Sequence, residues 1–521
     1  MPIARKVWSR ALAAALVAAA ACGGGSDRPG ASGSEDRDPV AAADRDGELR
    51  YAISFSFNSL DPHRALGSGD ALWMRPVYDR LLTIVEGDDG MELAPQLATS
   101  YEVADDGRSI TFELREGVTF HDGTAFDAEA VRANIERAKG RESTVSSELD
   151  SVERVEVVDP AHVVLHLNTP DPSVPWALAQ GSTGMMASPA AFDRDLAAHP
   201  VGTGPYRIVE ATKDADAVYE RFEDHWDPDA ALVRRLTLST TPDANARFNG
   251  VRSGEFDAAY MAAPHEMRSR SLTAEDYHWE QVLSPVSWAL LLNTDLEPFD
   301  DVRVRRAVSM AIDRTAISEE LLEGANPPSY QPFPEGYLGH DPGLDEDPYD
   351  PDAARDLIAD AGAEGADVQI VQNLTPPGDS IAEVIQQQLG DIGLDVELVP
   401  LGATEARPAF REGRYHGAVS NNLAQAEPGL TLELAYFGVD NPGTPPEELV
   451  TLAGEARTHL LGSPERERAY QEISRYLVEN PIHVPIVQFS TVNLCRPEVV
   501  GCENLHDLGR LDFRRVGVAA G

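Results

Sequence analysis

Hydrophobic positions after residue 47 change period along the chain, and the change predicts a mixed α/β fold. Alternating apolar residues in ELRYAISFSF predict an opening strand over residues 49–57. The stripe of small and apolar residues in DAEAVRANIERA predicts a helix that begins after Asp127 as its N-cap. SIAEVIQQQLGDIGLDVELVPL predicts a helix, a stop at Gly393 and a strand, and PERERAYQEISRYLVENPIHVPIVQFSTVNL repeats that order. DDVRVRRAVSMAIDRTAISEELL predicts one further helix.

A polar cluster at His121–Thr124 follows the segment SITFELREGVTF. That segment predicts a hairpin, because Ile110, Phe112 and Leu114 share one strand face and EGV turns the chain. His121 and Asp122 could belong to a catalytic site, but adjacent residues do not face each other across one. Aspartate and glycine instead supply turn geometry, so we interpret HDGT as a structural turn.

Composition describes an exported globular chain with several cores. The 521 residues are 42% hydrophobic and 25% charged, which is enough for two or three lobes. The formal net charge of −44 opposes binding to nucleic acid or to an anionic membrane surface. The simplest function of this negative charge is to keep the protein soluble, since the acidic residues are scattered along the sequence.

The N-terminus predicts export and a lipid anchor. Three cationic residues precede the apolar run ALAAALVAAAA, which is too short to span a bilayer and ends at Cys22. Residues 1–21 resemble a bacterial lipoprotein signal, after which Cys22 would carry the lipid, although Ala19 stands where leucine is usual. An ordinary cleaved signal with an incidental cysteine is the alternative. The Gly/Ser/Asp-rich residues 22–47 predict a flexible tether.

Reactive motifs are scarce. Cys495 and Cys502 in CRPEVVGC predict a small disulfide loop in an oxidising compartment, and a metal pair is the weaker alternative. GTGPY lacks a P-loop lysine, and neither G-x-S-x-G nor H-E-x-x-H occurs. We expect no metal, no cofactor and no catalytic residue.

Seven stretches, taken in order, resemble the peptide/nickel class of extracytoplasmic solute-binding proteins that serve ABC importers, solute-binding protein family 5. They are SLDPHRA, VYDRLLTIVEGDDGMELAPQLATSYEVADDGRSITFELREGVTFHDGTAFDAEAV, VGTGPYRIVE, SGEFDAAY, LLLNTDLEPFDDVRVRRAVSMAIDR, YDPDAARDLIADAG and QQQLGDIGLDVEL. The resemblance implies an α/β, two-lobed periplasmic-binding-protein-like fold with an extra subdomain and a hinge that the chain crosses twice. It implies a discontinuous main lobe of residues 48–66, 201–286 and 487–515, an extra subdomain of residues 67–200 and a second lobe of residues 287–486.

The resemblance also implies a solute pocket between the lobes. By position the expected ligand-binding residues are Phe57, Asn58, Trp288, Asn421, Asn422, Gln425 and Glu427. Peptide-binding members carry an aspartate for the peptide ammonium in the second-lobe loop, whereas NNLAQAEPG has Gln425 at about that position. Glu427 could substitute if the loop shifts. Without that aspartate, an oligosaccharide or another polar solute becomes a better candidate ligand relative to an oligopeptide.

The resemblance implies partners as well as a pocket. They are one small solute, the permease subunits of an ABC importer with a separate ATPase, and the membrane through the lipid anchor; we expect a monomer. An exported hydrolase on a similar scaffold is the first alternative, and it would need a nucleophile–base or carboxylate pair between the lobes. A lipoprotein that senses a ligand without transport is the second.

Overall fold

The structure of the protein is a computed structural model. It describes residues 38–65, 68–87, 90–261, 277–374, 376–422, 424–438, 440–505 and 511–520. The predicted signal, Cys22 and most of the predicted tether lie outside these residues. The last part of that tether is folded, because residues 39–42 form a helix and Ala43 pairs with Ala519 near the C-terminus. The folded chain therefore begins earlier than predicted.

Strands and helices alternate along the chain, as the hydrophobic pattern predicts. The strands are β1 Glu48–Ile53, β2 Leu82–Gly87, β3 Gly90–Pro95, β4 Ala98–Val103, β5 Ser109–Leu114, β6 Val152–Asp159, β7 His162–Leu167, β8 Tyr206–Ala211, β9 Asp216–Arg221, β10 Arg235–Thr240, β11 Ala258–Met261, β12 His278–Leu292, β13 Asp367–Asn373, β14 Asp395–Leu401, β15 Gly417–Asn421, β16 His483–Cys495, β17 Val499–Val500 and β18 Gly517–Val518. The helices are α1 Pro39–Ala42, α2 Ser68–Met74, α3 Ala128–Ala138, α4 Val174–Gln180, α5 Ala244–Ser253, α6 Val302–Ala311, α7 Arg314–Ala316, α8 Pro351–Ala361, α9 Gly378–Asp391, α10 Ala403–Arg411, α11 Pro428–Thr431, α12 Glu447–Thr458 and α13 Pro464–Glu479.

One ten-stranded sheet runs through both lobes in the order β14-β13-β15-β12-β16-β11-β1-β10-β9-β8. The long antiparallel strands β12 and β16 form its middle and pass from one lobe to the other. On one side β1 is parallel to β10 and β11, and on the other β13 is parallel to β14 and β15. The pairing of β12 with β16 shifts register between Leu283 and Ser287, where the chain crosses between the lobes.

Three main apolar cores lie in and beside this sheet, and we name each body by its core. The main lobe surrounds Tyr51 and Leu236, and the second lobe surrounds Leu290 and Ile385. The extra subdomain surrounds Phe112 and packs α3 against the four-stranded sheet β4-β5-β7-β6. The two-lobed fold with an extra subdomain is thereby present, and the exact residue boundaries given above stay predictions.

Local sequence signals explain most element ends. Asp127 accepts the Ala130 N–H at 2.9 Å as the N-cap of α3, and Gly393 at φ 99° separates α9 from β14, as predicted.

The predicted hairpin at SITFELREGVTF is wrong, since β5 pairs with β4 and β7. Its face assignment is right, because Ile110, Phe112 and Leu114 are all buried. The long predicted helix of residues 300–322 is broken at Ile312. This residue has an extended backbone and ends α6.

Two further features bear on location and covalent structure. Cys495 and Cys502 form a disulfide at the end of β16, within the main-lobe core. Among the described residues no helix is both long enough and apolar enough to cross a membrane.

Candidate functional site

The carboxyl ends of the parallel strands in the two lobes point at each other. Since β11 and β12 are both antiparallel to β16, and β15 is antiparallel to β12, the two parallel groups run in opposite directions. The main-lobe group ends level with Val492 of β16, and the second-lobe group ends level with Val487. Roughly 16–17 Å of strand separates those levels at the usual rise per residue. Ligands of open α/β sheets bind outside such strand ends, so this interlobe boundary is the candidate site.

The loop after β1 forms the main-lobe side of the boundary. Asn58 is exposed; its N–H donates to Asp70 at 2.6 Å and its Oδ1 accepts from Lys213 at 3.2 Å. Phe57 is only 6% exposed and packs against Trp73 with ring centroids 5.3 Å apart. The structure therefore makes Phe57 part of the main-lobe core rather than a pocket wall. Asn58 remains available to a solute.

The loop after β15 forms the second-lobe side, and two arginines of α10 lie beside its start. Asn421 is half-buried, and its Oδ1 accepts from Arg407 at 2.8 Å. Arg407 and Arg411 both bind the buried carboxylate of Asp440. Burial lowers the pKa of Arg407 below its ordinary value, although the Asp440 carboxylate acts in the opposite direction. Two guanidinium groups on one carboxylate leave a positive charge at the end of β15.

Asn422 and Trp288 lie at the crossing itself. Asn422 is 2% exposed, its Oδ1 accepts the Ser287 N–H at 2.8 Å and its own N–H donates to the Ser287 carbonyl at 2.9 Å. Its side chain therefore fastens β12 to the loop, which is a hinge role instead of the predicted ligand contact. The Trp288 ring lies against Gly378, where an added Cβ would come within 2.6 Å of it. The indole Nε1 of Trp288 has no hydrogen-bond partner among the described residues.

Glu427 has a different role from the one predicted. It is 0% exposed and forms an ion pair with Arg466, which is 1% exposed. Its Oε2 also accepts the Leu430 N–H at 2.9 Å and caps α11. A carboxylate committed in this way cannot substitute for the missing aspartate, so we correct that expectation. Gln425 is half-buried, and its backbone is held by Thr431.

The polar cluster at residues 121–124 is structural, as interpreted. His121 Nε2 lies 2.9 Å from the Gly204 carbonyl, and Asp122 accepts from Ser188 at 2.7 Å. Burial lowers the pKa of His121 to about 4, so the ring is neutral near pH 7. GTGPY is a close-packed turn, because an added Cβ on Gly202 would lie 2.1 Å from the Val77 oxygen.

Within the described residues, the remaining buried histidine cluster is also structural. His225 pairs with the buried Asp79 at 3.2 Å, but Trp226 and Arg514 bind the same carboxylate, which makes it a packing network. Across the described ranges, no group of three or more His, Cys, Asp or Glu side chains is placed to hold a metal ion. The observations thus give the hydrolase alternative no support.

Three residues at the boundary were not found from the sequence. Phe55 and Tyr260 are half-buried near the ends of β1 and β11, with ring centroids 5.9 Å apart. Leu374 directly follows β13 and is 49% exposed. The rule that ligands meet the carboxyl ends of parallel strands could have found all three, once the strand directions were known.

This arrangement defines a two-lobed binding protein with its candidate site between the lobes. Residues 92–441 match the family described as "Bacterial extracellular solute-binding proteins, family 5 Middle". The chain belongs to that family, and as the family implies it is an extracytoplasmic solute-binding protein of the ABC-importer type.

Similar proteins agree in sequence and in fold. The "Glutathione-binding protein GsiB" of Salmonella paratyphi A is 30% identical over 375 residues, which cover 70% of this chain and 72% of that protein. A dipeptide-binding protein of Pseudoalteromonas sp. SM9913 in complex with Met-Leu has a TM-score of 0.79 and 21% identity, covering 91% of this chain and 100% of the other. AgaA of A. tumefaciens R10 with agropinic acid has a TM-score of 0.79 and 23% identity, covering 91% and 99%. The structural likenesses show the fold alone.

Proposed function

We propose that the chain is the lipid-anchored capture subunit of an ABC importer. It binds one small peptide or similarly polar solute between its lobes and delivers it to a membrane permease with a separate ATPase. The observation that carries the proposal is the convergence of strand ends on the interlobe boundary in a member of family 5. Binding and release complete the task, so the chain performs no catalysis.

The proposed solute contacts come from both lobes. Asn58 offers an exposed amide on the main-lobe side, and Asn421 and Gln425 offer half-buried amides on the other. The Trp288 side chain is 3% exposed and lies in the second-lobe core, so we assign it no direct contact with the solute. A few polar groups among apolar walls fix the orientation of a small ligand, and Phe55, Tyr260 and Leu374 are the proposed walls.

Charge narrows the class of solute. Among the described residues of the second-lobe loop between positions 421 and 427, no carboxylate is free, since Gln425 is neutral and Glu427 is paired with Arg466. A free peptide ammonium would lose its partner there, and an unpaired buried charge is costly. The arginines at the end of β15 favour a carboxylate or hydroxyl-rich end of the solute. Peptides blocked or substituted at the amino end, and oligosaccharides, fit this boundary better than free-amino oligopeptides.

Native mass spectrometry of protein purified from its own host tests the proposal. We expect one small solute per chain, released on denaturation. Acetyl-Met-Leu and an oligosaccharide serve as added probes in a thermal-shift assay, and free-amino Met-Leu should give the smaller shift. A ligand at 100 times its Kd stabilises the folded state by about 2.7 kcal/mol. The proposal would be contradicted if no solute co-purifies and no peptide or sugar tested gives a thermal shift.

The anchor has a separate test. Replacing Cys22 with serine removes the proposed lipidation site, so the protein should move from the membrane fraction to the soluble extracytoplasmic fraction. The matched change Ser26→Ala, four residues further along the proposed tether, should leave the protein in the membrane fraction. Continued membrane attachment of the Cys22→Ser protein would refute lipidation at that residue.

A further inference from the structure

The second lobe enters the apolar core of the extra subdomain. Tyr337, Ala426 and Leu430 are 9%, 2% and 7% exposed and belong to the same apolar cluster as Phe112 and Trp176 of the subdomain. None of these second-lobe residues is part of the crossing formed by β12 and β16. The lobes are therefore in contact at a second place, away from the hinge.

Two hydrogen bonds accompany this apolar contact. The Ala426 N–H donates to Gln180 Oε1 at 3.0 Å, in a buried environment. The Met91 N–H donates to the Gly336 carbonyl at 3.3 Å. Gln180 and Ala426 are 246 residues apart in sequence and lie in different bodies. Moving the second lobe away from the subdomain would break both bonds and expose the apolar residues to water.

Both sides of the contact are rigid. On the second-lobe side, the buried Glu427–Arg466 ion pair and the Glu427 cap hold α11, which carries Leu430. On the subdomain side, α4 carries Gln180 and all its residues are buried. A contact between two rigid surfaces forms or breaks as a unit, because packed interfaces are bistable rather than continuously deformable.

We propose that this contact, which we call the latch, holds the lobes closed through residues that do not touch the solute. Tyr337, Ala426 and Leu430 insert into the subdomain, and Gln180 holds Ala426 there through its hydrogen bond. The latch sets how much of the protein is closed before a solute binds. The apparent affinity for a solute depends on that fraction, so the latch tunes affinity from outside the binding site. The affinity consequence rests on the proposed function, whereas the closure claim does not.

Small-angle scattering on Cys22→Ser protein without added solute tests the latch. Leu430→Ala removes an apolar contact between the second lobe and the subdomain core, so under the proposal the closed-to-open ratio should fall about tenfold and the radius of gyration should increase. Leu430→Met conserves volume and should stay compact. The control Leu449→Ala makes the same deletion in a separate apolar core that also contains Tyr436 and Tyr470, where Leu449 is 0% exposed, and should also stay compact.

Hydrogen exchange gives a second readout. Gln180→Ala should increase exchange of the Ala426 amide about fivefold, as one lost hydrogen bond predicts. Gln386→Ala removes a similar 2.8 Å bond, to the Val396 carbonyl within the second lobe, and should leave Ala426 unchanged. The proposal is overturned if Leu430→Ala stays as compact as the unsubstituted leucine, or if Leu449→Ala expands equally. Absence of solute binding would count against the proposed function and leave these results intact.

Discussion

The loops after β1 and β15 face the same boundary and use their polar side chains in opposite ways. Asn58 in the first loop is exposed and makes one side-chain bond, to Lys213. Asn422 and Glu427 in the second are buried and bind their own lobe or the crossing strand. The difference teaches that amide and carboxylate groups in a loop do not identify a ligand site. Their burial and existing partners decide whether they are available.

The largest expected effect comes from breaking the ion pair of the second loop. Glu427→Gln leaves the buried Arg466 charge without its partner, and we expect a loss of about 3–5 kcal/mol in the free energy of unfolding by chemical denaturation. Glu433→Gln is the matched control, because its pair with Arg457 is exposed and should cost less than about 1 kcal/mol. Equal small losses would show that the second loop is no more rigid than the surface.

The second effect is a dependence of the folding stability on pH, which arises from the buried His483. Burial, with a contribution from nearby Arg407, lowers the pKa of His483 from 6.5 to about 3. Between pH 3 and pH 6.5, His483 is therefore protonated in the unfolded chain and neutral in the folded chain. This stability is fully present above pH 6.5 and is lost as pH falls towards 3, with a slope of about 1.4 kcal/mol per pH unit.

His483→Phe checks that dependence. The substitution keeps a ring that can stack on Tyr436, whose ring centroid lies 4.7 Å from that of His483, and removes the titrating group. Denaturation at pH values from 4 to 7 should give a flatter profile for the variant than for the wild type. Parallel profiles would mean that His483 takes up its proton in the folded state.

A smaller effect is expected at the hinge. Asn422→Ala leaves the Ser287 N–H without its acceptor, and one unsatisfied buried donor costs about 1–3 kcal/mol. Differential scanning calorimetry should show a lower melting temperature. An unchanged value would place Asn422 back among the residues free to bind a solute.

The smallest effect on stability is expected in the first loop. Asn58→Ala should change the free energy of unfolding by no more than about 0.5 kcal/mol, because the side chain is exposed. Its proposed contact with the solute predicts about fivefold weaker binding of the co-purified solute by calorimetry. Loss of stability with unchanged affinity would reverse the roles of the two loops.

The sequence predicted the positions of helices and strands better than it predicted which strands pair with each other. The ends of α9 and α3 follow from Gly393 and Asp127, which act on their own neighbours. The hairpin prediction failed because periodicity places Phe112 on a strand face and says nothing about which strand lies beside it. The partner of β5 is set by packing across the subdomain core.

The candidate site shows the same limit. Its location came from the family resemblance, and the structure places Asn58, Trp288 and Asn421 near the interlobe boundary, where a solute contact stays a prediction for Asn58 and Asn421. The role of Glu427 could not be predicted, because its partner Arg466 is 39 residues away on another helix. A charged residue in a loop has the same sequence signal whether its partner is a solute or a buried arginine.

Scattering during a titration of the Leu430→Ala protein, whose latch is weakened, with the co-purified solute tests the central claim most directly. If one solute binds between the lobes, the radius of gyration should fall as solute is added and should stop falling at one solute per chain. Asn58→Ala should need more solute to reach the same compact state. Tight, stoichiometric binding with no change in the radius of gyration, and with equal affinity in the Asn58→Ala protein, would contradict binding at the interlobe boundary.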